Sequence, residues 1–191
     1  MEEYIKQYFK NVSKNFLELL NHSKSIDAAI KIIYQSLKED NKIIFCGNGG
    51  SASDSQHLAA ELMGRYKIDR SPLAAISLAV DTSALTAIGN DYGFDHTFSR
   101  QLEGIGKSGD VLVAISTSGE SKNVLRAVEK AKKMGIYTIA FTGEKITSLS
   151  EISDLTINTT SSETNHIQEM HIAIGQLICG VVEDKFFNTK K

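Results

Sequence analysis

IIFCGNGGSASDSQHLAAELMGR, residues 43–65, reads as a strand, a glycine turn and the start of a helix, and that order decides the fold class. Ile43, Ile44 and Phe45 make a short apolar run of the kind buried in mid-sheet. Gly47, Gly49 and Gly50 let the backbone adopt positive φ and approach a ligand closely. Ser51, Ser53 and Asp54 are N-cap formers, so a helix is expected to begin there, its first amides pointing unpaired into the turn. Unpaired amides at the positive end of a helix bind phosphate. The spacing matches neither GxGxxG nor GxxxxGKS/T, so neither a dinucleotide fingerprint nor a P-loop is expected. Further along, His57 and Glu61 stand at i and i+4 and project from one helix face, as an acid/base pair or two metal ligands would. The same spacing also serves an ordinary solvated contact, and the same turn a tight strand-to-helix connection.

Outward from this stretch the chain alternates strand and helix. Strand-like runs are expected at 43–46, 73–78, 111–115, 136–141 and 154–158, separated by helical stretches near 52–64, 83–89, 121–134 and 164–187. Two helices come before them: Tyr4, Tyr8, Val12, Phe16, Leu19 and Leu20 recur at helical spacing, as do Ile26, Ala29, Ile30, Ile33 and Leu37. The expected architecture is α/β: a three-layer, doubly wound parallel five-stranded sheet of flavodoxin-like type. Helices over residues 3–40 form an N-terminal oligomerisation and packing extension. Ligands of such sheets bind beyond the carboxyl ends of the strands, where residues 47–51 and 116–121 both fall.

Composition narrows the function. A chain of 191 residues, 41% of them hydrophobic and one a proline, is long enough for a single well-buried domain over 1–191. A formal net charge of -2 without a basic run argues against nucleic acid as partner. The start MEEYIKQYFK has no apolar core, and the apolar stretch at 172–182 is broken by Gly175, Gln176 and Gly180, so no membrane partner is expected and the location is cytoplasmic. Cys46 and Cys179 lack zinc or redox spacing and read as two reduced, buried thiols. The Lys-rich end at 188–191 reads as a frayed tail, and His22 and His96 as surface or packing residues.

A second chemical segment, VLVAISTSGESKNV, spans residues 111–124. Its strand residues lead into Ser116, Thr117, Ser118, Gly119 and Ser121, a denser set of hydroxyls than capping alone requires, at another helix start. It reads as a second phosphate cradle.

CGNGGSASDSQH, GNDYGF at 89–94, AISTSGESKNV and IQEMH at 167–171, four motifs in order over nearly the whole chain, resemble the sugar isomerase (SIS) family and within it the phosphoheptose isomerases. The resemblance implies interconversion of sedoheptulose 7-phosphate and D-glycero-D-manno-heptose 7-phosphate, a phosphorylated seven-carbon sugar, for activated heptose of lipopolysaccharide or capsule. It also implies a homotetramer with active sites shared between subunits. Moving a carbonyl between C1 and C2 needs a base that takes a proton from one carbon and returns it to the other, and a group that holds the enediolate. Glu61 is the base. By resemblance Asn48, Gly49, Gly50, Ser51, Arg65, Ser116, Thr117, Ser118, Ser121 and Gln168 bind substrate with Glu61. Asn90 and Asp91, in a turn after Gly89, bind its hydroxyls.

Zinc-containing members of the family hold one metal per subunit through the counterparts of His57, Glu61 and Gln168 and a histidine eight residues after that glutamine. Here that position is Gln176. A carboxamide oxygen is a poorer zinc ligand than imidazole and moves no proton near neutral pH, which bears on both the zinc cofactor and the second catalytic role. Three readings are compatible with the change: Gln176 keeps a weakened metal site, Glu61 shuttles the proton alone, or the substrate is a related sugar phosphate. A rival of another class is a non-enzymatic SIS protein that associates with the replication initiator DnaA. That relative lacks the glutamate at the position of Glu61.

Overall fold

The structure, a computed structural model, describes residues 1–187, and the tail expected at 188–191 lies outside the described residues. Five strands run parallel in the order β2-β1-β3-β4-β5: β1 (Ile43–Gly47), β2 (Ala75–Ser77), β3 (Val111–Ile115), β4 (Tyr137–Thr142) and β5 (Leu155–Asn158). This is the doubly wound, flavodoxin-like sheet the alternation predicts. All residues of β1 and of β3 are buried, as continuous apolar runs in a sheet covered on both faces must be.

The two-residue period of a strand divides the core into two layers. Ile43, Phe45, Val111, Val113, Ile139 and Phe141 face one side, with α2 (Ser23–Lys38), α3 (Gly50–Met63) and α8 (Thr164–Phe187). Ile44, Cys46, Leu112, Ala114 and Ala140 face the other, with α5 (Thr97–Ile105), α6 (Lys122–Lys133) and α7 (Ser148–Ile152). Each fully buried aliphatic side chain contributes about 1.5–3 kcal/mol, and both layers depend on β1 and β3. Both cysteines are free and buried. Among the described residues no helix is long and apolar enough to cross a membrane.

Helix α1 (Glu2–Glu18) buries none of its residues. It touches the body through polar groups: Tyr8 donates to Glu169 of α8, and the Thr160 hydroxyl donates to the Asn15 carbonyl at 3.1 Å.

Local structure departs from expectation at three places. Helix α3 begins at Gly50 with Gly49 as its N-cap, so Ser51, Ser53 and Asp54 lie inside the helix and no side chain caps it. Helix α4 (Thr82–Tyr92) runs past 83–89, from an Asp81 cap that accepts Ala84 N–H to Gly93 at φ 88°. Asn90 and Asp91 therefore sit in its last turn rather than in a loop. Helices α5 and α7 have no counterpart in the expected elements. The first buries only Phe98 and Leu102 as large apolar residues, and the second has five residues under a Thr147/Ser150 capping box.

Candidate active site

The parallel register sets Gly47 beside Ile115, so the loops that follow β1 and β3 leave the sheet side by side. The first is shaped by what will not fit. A Cβ on Gly47 would stand 2.6 Å from the Ser51 carbonyl oxygen, and one on Gly50 would stand 2.6 Å from Gln168 Nε2. Of the three glycines in this loop only Gly49 uses the left-handed region, at φ 56°. Gln168 of α8 thus lies directly over the start of α3.

The second loop is shaped by hydrogen bonds. The buried Ser116 hydroxyl accepts Gly119 N–H at 3.1 Å and shares bonds with the hydroxyls of Ser121 at 3.2 Å and Ser118 at 3.5 Å. Glu120 reaches across to α7, accepting Ser148 N–H at 2.8 Å and the Ser148 hydroxyl at 2.7 Å, and these bonds hold its carboxyl below the usual range. A cavity of about 320 Å³ opens beside this loop, with Thr117, Ser118, Lys145 and Ser161 in its wall. Neither α3 nor α6 has a side-chain cap, so two helix starts present free amides at adjacent strand ends.

A residue absent from the sequence-based candidates joins the loops. Asn48 donates to Asn123 Oδ1 at 2.7 Å, and Asn123 donates back to Asn48 Oδ1 at 2.9 Å. Asn123 is buried, and it signals its role only through a partner far away in sequence.

On α3, His57 Nε2 and Glu61 Oε1 are 2.9 Å apart, with side chains 48% and 18% exposed. The i, i+4 pair therefore forms at the rim, with the carboxylate on the more sheltered side. Gly175 of α8 packs against Leu58, which brings their chain neighbours Gln176 and His57 to one level of the helix pair. Gln176 is half-buried. Arg65 stands exposed just beyond α3. Asn90 and Asp91 bond to each other at 2.8 Å, and no bond ties them to either loop among the described residues.

A half-buried and a buried titratable group flank the candidates. Burial lifts the Asp54 carboxyl to about 6, against the nearby His57, and its Oδ2 has no partner. Burial pushes His171 down to about 4 despite its bond to the Thr142 carbonyl at 3.1 Å, so the imidazole is neutral.

Residues 7–143 match the SIS domain family model. The phosphoheptose isomerase of Akkermansia muciniphila is 50% identical over 187 residues, covering 98% of this chain and 99% of its own. The chain belongs to the phosphoheptose isomerase family of SIS-domain proteins. The phosphoheptose isomerase of Rhodospirillum rubrum is 50% identical over 184 residues, covering 96% of this chain and 98% of its own. The phosphoheptose isomerase structure from Neisseria gonorrhoeae aligns with a TM-score of 0.91 at 41% identity, covering 96% of this chain and 98% of that one. In this phosphoheptose isomerase family member most of the candidate residues gather on the two loops, α3 and α8. The larger cavity of about 350 Å³ beside Arg100 and Arg126 is a charged cleft elsewhere, with Lys130 paired to Glu103 and Arg126 to Glu129.

Proposed function

We propose that the chain interconverts sedoheptulose 7-phosphate and D-glycero-D-manno-heptose 7-phosphate, supplying activated heptose for lipopolysaccharide or capsule in the cytoplasm. The observation that carries this is the placement of Glu61, a half-sheltered carboxylate, on the helix whose uncapped start faces the hydroxyl loop. The amides at the α3 start, with Ser51, Ser116, Thr117, Ser118 and Ser121, hold the phosphate. Glu61 takes the proton from the carbon next to the carbonyl, becoming a carboxylic acid as the enediolate forms. It then returns that proton to the adjacent carbon while the hydroxyl proton passes from one enediolate oxygen to the other, and the carbonyl appears at the other position. Gln168 and Gln176 donate amide N–H groups to the enediolate oxygens, while His57 holds the Glu61 carboxylate in orientation. Arg65, Asn90 and Asp91 meet the sugar hydroxyls. Glu61→Gln keeps the shape and removes the base, and turnover of sedoheptulose 7-phosphate should fall about 10²–10⁴-fold. Unchanged turnover would sink the proposal.

The donor set fits zinc poorly. One imidazole and one carboxylate already bonded to each other are joined by two carboxamides, and among the described residues no three His, Cys, Asp or Glu side chains form a metal-holding group. No step above passes through a metal. Zinc at His57, Glu61, Gln168 and Gln176 is proposed to be measurable but labile. Elemental analysis should find it largely removed by chelation, and Gln176→His should raise the retained amount; loss of all turnover on chelation would contradict a metal-free path.

A homotetramer with shared active sites is supported by α1, which leaves Tyr4, Phe9 and Leu17 exposed. It is also supported by the apolar groove of about 400 Å³ between Phe16, Leu20, Ile30 and Leu177. Light scattering of the parent and of Phe9→Glu/Leu17→Glu tests it, the pair of charges being expected to lower the assembly mass.

A further inference from the structure

We infer that Arg70 and Glu183 are a positioning pair for Glu61, acting through the backbone at the end of α3, an inference that rests on Glu61 being the base. The two side chains are 2% and 1% exposed, with Arg70 Nε donating to Glu183 Oε2 at 2.9 Å. The rest of the guanidinium is spent on carbonyls. One terminal nitrogen donates to Glu61 O at 2.7 Å, and the other donates to Leu62 O at 2.7 Å, Gly64 O at 3.1 Å and Ser71 O at 3.1 Å. Glu61, Leu62 and Gly64 close helix α3, Leu62 O also accepting Leu73 N–H at 3.0 Å, and a cation there also meets the negative end of the helix dipole.

Glu183 holds the other side of the same segment. Its carboxylate accepts the N–H groups of Tyr66 at 3.0 Å, Lys67 at 2.8 Å and Ile68 at 3.3 Å. Burial would raise this carboxyl, but the amides of Lys67 and Tyr66 and the guanidinium outweigh it and hold it low. The pair therefore grips the chain on both sides of Arg65, with the Glu61 carbonyl at one edge. Glu183 also belongs to α8, so the grip ties the helix of His57 and Glu61 to the helix of Gln168 and Gln176. Gly180 of α8 supports the contact, since a Cβ there would stand 2.9 Å from the Tyr66 ring.

A buried ion pair is weak evidence for stability as such, because well-packed apolar residues often replace one without loss. Apolar residues would not supply the planar fork that bonds Glu61 O, Leu62 O and Glu183 together. Lysine would keep the charge but not the fork. The pair thus acts on the placement of the base, and small displacements of a catalytic group cost far more rate than fold.

The test is steady-state kinetics with sedoheptulose 7-phosphate, per folded molecule, on Arg70→Lys, Glu183→Gln and Glu61→Gln, with melting temperatures alongside. Arg70→Lys is expected to lower kcat about tenfold while KM stays within about threefold, and Glu183→Gln, which keeps an oxygen for the amides, to lower kcat about threefold. Parental kcat in folded Arg70→Lys, whatever its melting temperature, overturns the proposal; if that variant does not fold, parental kcat in Glu183→Gln does so. Full turnover by Glu61→Gln would instead remove the base on which the pair depends. An inactive Glu61→Gln beside fully active Arg70→Lys and Glu183→Gln removes the pair alone.

Discussion

The loops after β1 and β3 leave adjacent strands at the same level, yet they differ in what chiefly holds them. The first, residues 47–51, owes its path to exclusion: Gly47 and Gly50 have no room for a Cβ against Ser51 and Gln168. The second, residues 116–121, has one glycine without room, Gly119 at φ 66° against the Thr147 side chain, but owes most of its path to attraction, through Ser116, Ser121 and the Glu120 clasp on Ser148. A steric constraint fails abruptly, whereas a hydrogen-bonded one loosens by degrees. In the proposed mechanism the base stands on the helix that follows the rigid loop, and the adjustable loop shares the phosphate with the start of that helix.

Gly47→Ala should break the contrast most visibly. Its Cβ meets a backbone carbonyl rather than a movable side chain, so we expect a loss of about 3 kcal/mol in denaturant unfolding and a fall in turnover beyond tenfold. Tolerance of alanine would show that the first loop is no stiffer than the second.

The next effect concerns His171, which bonds the Thr142 carbonyl at the end of β4, where Gly143 abuts the Thr117 carbonyl of the second loop. Its imidazole is held near 4 in the fold against 6.5 unfolded, so between those values the unfolded chain binds the extra proton. Stability is therefore lost as pH falls through 6.5, by about 2 kcal/mol at pH 5 at 1.36 kcal/mol per unit. Asp54 works the other way. Its carboxyl, lifted to about 6 by burial, favours the fold at low pH and loses that contribution as pH rises through 6. The parent-minus-His171→Asn difference in melting temperature across pH 4–7 isolates the histidine, and a flat difference would refute its neutral burial.

Glu120→Ala should give the smallest change. Releasing the clasp lets the second loop widen while its serines remain, so KM for the sugar phosphate should rise about threefold with kcat nearly unchanged. A collapse of kcat would mean that the second loop, too, is set rigidly.

The unequal legibility of these parts in the sequence has a physical cause. β1 and β3 are readable because burial on both faces demands an unbroken apolar run, and that demand is local. α5 escaped because Phe98 and Leu102 are too few to set a period, and α7 because one turn has none. Asn90 and Asp91 look like turn residues, yet Asp81 caps a helix long enough to absorb them. In the site, His57, Glu61 and the serines lie on motifs whose spacing is local. Arg70 reads as one more solvated charge in RYKIDRSP, and only Glu183, far along the chain, reveals it as buried.

The reciprocal amide pair of Asn48 and Asn123 carries one more consequence. Each side chain is both donor and acceptor to the other, across 75 residues of sequence. Aspartate at one position would set carboxylate oxygen against carbonyl oxygen, and leucine would leave the other's carbonyl oxygen without its donor. The two positions are thus a single unit of heredity: a lineage altering one loop at this point must alter the other in the same step or lose the seam between them.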